Sequence, residues 1–431
     1  MEGLRIQCRL GLGCHAGRMT ATPADDADFE ARSAFLALLA RRLHEAGTSA
    51  PRLEVALTRA AERLGLTAEV WSSPTALILG TRDVADPRRK DHEVLRLNPG
   101  SINLRRLCRV DAIAEAVIRG DIDIAEGRAQ LEQANQAQLS KRFQVETVMG
   151  YGLASTGVAG LLGGGPTEMA VAGGLSMLIG LLDLASGRRP QLGQALDAIA
   201  ALLVAVVAGA LAHYLLPMSS RVVLIASLIV LLPGLTLTTA ASEIATGHLV
   251  SGTARMVGAI ATLLKLAFGT LVGSQIVARL EWTALPVQPH ALPGWAEWVC
   301  LAVAALSFAM LFRARLVDYP LAMSAAAASF LVSRFGSEQL GPEFGVFLAG
   351  FVINLAANFY ATRFGRPGAV VRLPGIILLV PGSVGFRTLS FVFQKDVFLG
   401  LDTAVSLLLL LVSLVAGLLF ANTLVPPRRA L

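Results

Sequence analysis

Charge is what this sequence has least of. Lysine, arginine, aspartate and glutamate make up only 16% of its 431 residues, where a soluble chain carries about a quarter. Cysteine is also scarce. Cys8, Cys14, Cys108 and Cys300 lie too far apart for a zinc site or a disulfide framework. Cys8, Cys14 and His15 are the closest cluster, and they read as part of an unstructured leader before they read as a metal site. The first 28 residues lack a continuous apolar core, so no signal peptide is expected there. Met19 is an alternative start within them. His44 and His92 have no nucleophile at a diagnostic spacing and read as surface residues. No catalytic residue, metal or cofactor is therefore expected, and the chain is not expected to be an enzyme. The net charge of +6 reflects arginines at membrane edges, so nucleic acid is not an expected partner.

What the chain does have is apolar length. It is 54% hydrophobic, with a mean hydropathy of +0.61. After residue 147 the sequence becomes a series of apolar blocks long enough to cross a bilayer core of about 30 Å at 1.5 Å per residue. Before it lies a more charged region whose periods are those of a folded domain. Leu36, Leu39 and Leu43 recur at helical spacing, and Leu53, Leu57, Ala60, Ala61 and Leu64 mark a second helix opened by Pro51. The runs AEVW (68–71), ALILGT (76–81) and EVLRL (93–97) read as three short strands. Leu104 to Val117 returns to helical spacing and ends at Gly120, and Asp123 with Glu126 is a capping signal for a further helix. Asp111, Glu115, Asp121 and Asp123 read as a solvated face and cap rather than a metal cluster.

The fold class expected is an α-helical polytopic membrane protein behind a small cytosolic α+β domain. Ten spans fit the apolar blocks, at about 148–165, 167–185, 195–216, 222–244, 254–278, 296–312, 319–334, 343–362, 370–392 and 400–424. The divisions expected are a disordered leader (1–28), the α+β domain (29–146), a five-helix repeat (147–280), an outside loop (281–294), a second five-helix repeat (295–425) and a tail (426–431). With both termini cytosolic, the inner loops collect most of the arginines, among them Arg188, Arg189, Arg313, Arg315, Arg366 and Arg372. Trp282, Trp295 and Trp298 flank the outside loop as interfacial aromatics should. An odd number of spans per half inverts the second half relative to the first, the plan of many secondary transporters.

Two stretches make that symmetry concrete: LLPGLTLTTAASEIATGHLVSGTAR (231–255) and LVPGSVGFRTLSFVFQKDVFLG (379–400). Each places Pro-Gly in the fourth span of its half, near the midplane, and Gly252 and Gly400 follow at the same offset. A proline removes a backbone hydrogen bond and crowds the carbonyl four residues earlier. In lipid such a break is tolerated only where protein or a polar cavity satisfies it. The half-helix beyond presents N–H groups and a positive dipole end, a place for a small carboxylate. A simple kink, with hydroxyls bonding back to carbonyls, is the plainer alternative for either break taken alone. Pro233, Gly234, Thr236, Thr239, Pro381, Gly382 and Ser383 are thus the expected substrate-binding positions, with Glu243 on the face of Thr236 and Thr239. Lys265 lies deep in the fifth span and needs a partner; Asp183 reads as a neighbour of Arg188. Glu243 and Arg255 read as a gate pair or a solvated edge. These four are the candidate coupling or gating residues. Asn354 and Asn358 suggest helix–helix hydrogen bonds, and Gly160/Gly164 and Gly269/Gly273 close packing.

The segments LHEAGTSAPRLEVALTRAAERLGL, SSPTALILGT and RLNPGSINLRRLCRVDAIAEAVIRGDIDIAEGRAQLEQ, in that order, resemble the soluble part of the threonine/serine exporter family. LLPGLTLTTAASEIATGHLVSGTARMVGA is similar to that family's signature, and GFVINLAANFYATRFGRPGAVVRLPGIILLVPGS resembles its second half. The resemblance implies a secondary exporter in the cytoplasmic (inner) membrane, driven by the proton-motive force, moving small amino acids such as threonine and serine. The partners it implies are that solute, protons and lipid; a homo-oligomer stays open. Two-chain relatives point instead to a small dicarboxylate such as succinate, and a non-transporting scaffold or sensor is a third reading. Pro233, Gly234, Glu243, Arg255, Pro381 and Gly382 carry over as motif positions only.

Overall fold

The computed structural model describes residues 23–134, 141–215, 217–283, 292–394 and 396–426. The Cys8–Cys14–His15 cluster, Met19 and parts of the expected leader, outside loop and tail lie outside these residues. The N-terminal domain comprises α1 (Pro23–Glu45), α2 (Ala50–Arg63), β1 (Leu66–Ser72), β2 (Ala76–Asp83), β3 (Lys90–Arg96), α3 (Leu104–Arg119) and α4 (Ile124–Gln133). The first helix begins at Pro23, inside the stretch read from sequence as leader, because its opening turns are polar and show no apolar period.

The strands form an antiparallel sheet in the order β1-β2-β3, with Leu79 opposite Val70 and Glu93. Alternation sends Leu77, Leu79, Thr81 and Asp83 of β2 inward. There Thr81 meets the Ser33 hydroxyl at 2.8 Å, and buried Asp83 pairs with Arg32 at 3.2 Å. Asp123 caps α4 by accepting the Glu126 N–H, as its position in the sequence suggests. His44 corrects the sequence reading: it is buried, with Nε2 3.2 Å from the Asn98 carbonyl, and burial holds its pKa below the usual value.

The remaining helices are α5 (Lys141–Leu161), α6 (Pro166–Ser186), α7 (Pro190–Tyr214), α8 (Ser220–Ser227), α9 (Gly234–Ala245), α10 (Leu249–Arg279), α11 (Gly294–Leu311), α12 (Tyr319–Leu340), α13 (Pro342–Phe364), α14 (Ala369–Ile377), α15 (Gly382–Phe393) and α16 (Val397–Leu424). Among the described residues, eight segments are long and apolar enough to cross a membrane, α14 and α15 counting as one. The two expected spans outside that set are α5, which opens on charged residues, and the broken pair α8–α9. Large apolar side chains such as Val257, Phe268, Phe335, Phe359, Leu408 and Val412 stand exposed along these helices, a surface suited to lipid.

Packing in the two halves repeats. α7 lies on α10 and α13 on α16; α5 on α6 and α11 on α12; α9 on α10 and α15 on α16. Across the middle, α9 meets α16 while α15 meets α10. Small residues allow the close pairs: a Cβ on Gly273 would meet Ala205, and one on Gly417 would lie 2.9 Å from the Phe351 nitrogen. Asn354 and Asn358 both donate to Asn422 Oδ1, at 2.9 and 2.8 Å, tying α13 to α16 as the sequence suggests.

The N-terminal domain docks on one end of this bundle through two helix N-termini. Asn103 caps the Arg106 N–H, which leaves the Leu104 and Arg105 N–H groups. These donate to the Phe312 and Arg313 carbonyls at the end of α11, at 2.9 and 3.0 Å. The orphan donors of one helix thus satisfy the orphan acceptors of another, with the dipoles aligned head to tail. Leu104 and Leu107 belong to one buried apolar cluster with Phe308, Phe312 and Ala314, so the domain core is continuous with the bundle.

Candidate solute chamber

Both chain breaks have the same local construction. Pro233 adopts φ −79°, ψ 41° and Pro381 φ −82°, ψ 38°. Each sits at the centre of an inverse γ-turn, with Gly234 N–H donating to the Leu232 carbonyl at 2.8 Å and Gly382 N–H to Val380 at 2.9 Å. The proline carbonyls then accept from Leu237 and Gly385, starting α9 and α15. Thr238 and Thr388 bond back to the Gly234 and Val384 carbonyls, as the plain-kink alternative expects.

The breaks also touch each other. A Cβ on Gly234 would clash with Val380 and come 3.2 Å from Gly382 N; one on Gly382 would come 3.0 Å from Gly234 Cα. Only glycine lets two backbones approach this closely. Two positive helix ends therefore abut in the middle of the bundle, an arrangement that attracts negative charge.

Beside this contact, on the side of the N-terminal domain, lies a cavity of about 260 Å³. α9 lines it with Thr238, Thr239, Ser242, Glu243 and Thr246; α13, α14 and α16 supply Asn354, Arg372 and Asn422. The remaining wall is the N-terminal domain, through residues 46–49, Pro51, Arg52, Val55 and Ile102. Its size falls just below the roughly 300–1,000 Å³ of drug-sized ligand sites, which suits a small metabolite.

The wall is held by Glu243. Ser49 at the start of α2 makes no side-chain cap. Glu243, wholly buried on α9, takes its place by accepting the Ala50 N–H at 3.0 Å across the domain boundary. The same carboxylate accepts from Ser251 at 2.8 Å and pairs with Arg255 at 3.0 Å. The positive φ of Gly247 (85°) turns the chain between α9 and α10 so that Arg255 comes back onto Glu243. A second link joins Glu54 to His248 at 3.0 Å.

Two arginines in the lining have no such partner among the described residues. By sequence Arg372 reads as one of the inner-loop arginines; in the structure it is buried in α14, its Nη1 without a hydrogen-bond partner among the described residues. Arg52 faces the same cavity from α2, and burial alone pushes its guanidinium down to about 10, no carboxylate opposing the shift. Arg52 remains charged near neutrality.

The sequence candidates thus separate. Thr239 and Glu243 line the cavity, Gly234 and Gly382 form the contact beside it, and Arg255 secures Glu243. Thr236 and Ser383 are half-buried near the breaks but are not among the lining residues. Lys265 has its partner in Asp197, 3.3 Å away on α7, and is 44% exposed, so it does not face the chamber. Asp183 accepts from the Tyr151 hydroxyl at 3.2 Å rather than pairing with Arg188. Sequence reasoning missed Arg52, Arg372, Asn422 and Asp197. The Asn354/Asn358 pair, one turn apart on α13, was the signal available for one of them, Asn422.

Two models of the threonine/serine exporter family match the chain, over residues 34–277 and 297–424. It is similar to Pheromone-regulated membrane protein 10 of Eremothecium gossypii, 23% identical over 84% of this chain and 50% of that protein. The protein of the same name in Zygosaccharomyces rouxii is also 23% identical, over 84% of this chain and 37% of its own length. The one in Debaryomyces hansenii is 24% identical over the same shares. The chain therefore spans half or less of the length of these curated relatives. No solved structure matches it.

Proposed function

The chain belongs to the threonine/serine exporter family, and from that premise we propose that it is a secondary active exporter of small hydrophilic amino acids, threonine and serine, coupled to protons across the cytoplasmic membrane. The observation that carries this reading is the cavity beside the paired Pro-Gly breaks, an apolar-walled space into which hydroxyl, amide and guanidinium groups converge. A scaffold would not require a solute-sized chamber between its N-terminal domain and the broken helices of its bundle.

In this proposal there are ten passes: α5, α6, α7, α8–α9 and α10 in the first half, and α11, α12, α13, α14–α15 and α16 in the second. The recurring helix pairs support reading the halves as inverted copies. Both termini lie on the cytosolic side, and the chamber opens there when the N-terminal domain lifts. The touching glycines are the central constriction. When the breaks part, Thr236 and Ser383 join Thr239 along the path, and the helix ends carry the solute's carboxylate through without a fixed cation. Glu243 and Arg255 act as the inner gate. Lys265–Asp197 and Asp183–Tyr151 are ionisable pairs available to the coupling step. A small dicarboxylate is the second reading, favoured by two arginines at the chamber, Arg52 and Arg372, that lack a carboxylate partner among the described residues.

Counterflow in proteoliposomes, with a panel of labelled amino acids and dicarboxylates, tests the proposal. Labelled L-threonine should accumulate against internal unlabelled L-threonine, and an imposed proton gradient should drive net flux. Absence of flux for every solute would return the scaffold reading.

A further inference from the structure

Arg52 and Arg372 come from different layers. One stands on the second helix of the N-terminal domain and the other in a broken helix of the bundle, yet both line one cavity. Arg372 is only 8% exposed and its Nη1 is unsatisfied. A buried guanidinium left this way is costly, and the natural remedy is an anion. The carboxylate in the lining, Glu243, is already committed to Ala50, Ser251 and Arg255. Among the described residues the lining therefore offers positive charge without a free counterion, beside hydroxyl and amide groups from Thr239, Ser242 and Asn422.

We infer that Arg52 and Arg372 form a two-layer carboxylate site, in which a bound solute's carboxylate bridges the N-terminal domain to the bundle and locks the domain shut. With the chamber empty, two like charges face one small space and push the layers apart; with an anion between them, both are satisfied. The domain is then a lid sensitive to the solute itself. This inference rests on the transport reading for the identity of the solute, but not for the existence of the site.

Hydrogen–deuterium exchange on the full chain in lipid nanodiscs tests it, read at residues 46–55. L-Threonine should slow exchange there. L-Threoninol, which keeps the ammonium and hydroxyl but lacks the carboxylate, should not. Arg52→Gln should raise the threonine concentration needed for half-maximal protection about ten-fold or more, the scale of a lost charge-assisted bond. Arg52→Lys should retain part of the effect. Arg372→Gln should behave like Arg52→Gln, and if it does not fold, the two Arg52 variants decide alone. Equal protection by L-threoninol, or an unchanged threonine curve in Arg52→Gln, overturns the inference. So does L-threonine counterflow with no protection at all, which leaves transport standing. Protection by succinate but not L-threonine, dependent on both arginines, upholds the site and removes the proposed amino-acid substrate.

Discussion

Glu243 is the most informative single side chain to remove, because its bonds fall on both sides of a domain boundary. Ser251 and Arg255 belong to the bundle, while the Ala50 N–H belongs to the N-terminal domain. Glu243→Ala therefore has two separable effects. Within the bundle it strands Arg255, and losing one partner of a buried pair costs about 3–5 kcal/mol. Across the boundary it deletes one charge-assisted hydrogen bond at the start of a helix, worth about 1.5–3 kcal/mol, or roughly ten- to a hundred-fold in the docking equilibrium. Exchange at the Ala50 amide reads the second effect directly, since that proton is the one being shared. Ser251→Ala is the control: it removes a 2.8 Å bond to the same carboxylate and leaves the boundary bond in place. The expected result is faster Ala50 exchange in Glu243→Ala, little change in Ser251→Ala, and unchanged protection in α4. Unaltered Ala50 protection in Glu243→Ala would refute the trans-cap, and loss spread equally into α4 would show general unfolding instead.

Three further outcomes follow from single features. Gly234→Ala should abolish counterflow by forcing the breaks apart, and Val380→Ala should restore part of it because Val380 is the side chain met first; full activity in the single variant would dissolve the constriction. Cys108 is buried, and burial pushes its thiol up to about 11. In a chain lacking the other cysteines it should alkylate about a hundred-fold more slowly at neutral pH than a free thiol, and faster in Glu243→Ala, measured as a maleimide time course. The pKa of buried His44 is depressed in the folded domain. The unfolded form thus binds more protons below its ordinary value of 6.5, and domain stability should fall as pH drops through that point. Denaturant titration at pH 7.5 and 5.5 checks this, with His44→Gln expected to flatten the difference.

The elements that rest on local physics were legible in the sequence. Strand alternation, the Asp123 cap and the helical periods of α2 and α3 depend on near neighbours, and they lie where the sequence puts them. The Pro-Gly breaks were legible because no other residues break a membrane-length helix so plainly. What the sequence could not reveal is what long-range packing decides. Arg372 resembles any interfacial arginine until α14 is seen to bury it. Arg52 follows a proline in the first turn of an amphipathic helix, where a solvated side chain is the ordinary expectation, and only docking turns it inward. Lys265 called for a partner, but Asp197 sits on another helix and nothing local names it.

In the proposed transport cycle the solute sits in the cavity beneath the paired breaks. Thr239 lines it from α9 and forms no part of the domain boundary bonds. The most direct measurement is the alkylation rate of a Thr239→Cys variant in proteoliposomes, otherwise free of cysteine, with and without saturating L-threonine. L-Threonine should slow the reaction, and fully alkylated protein should no longer support counterflow. A rate indifferent to every transported solute, together with full flux through the alkylated protein, would place the solute path elsewhere.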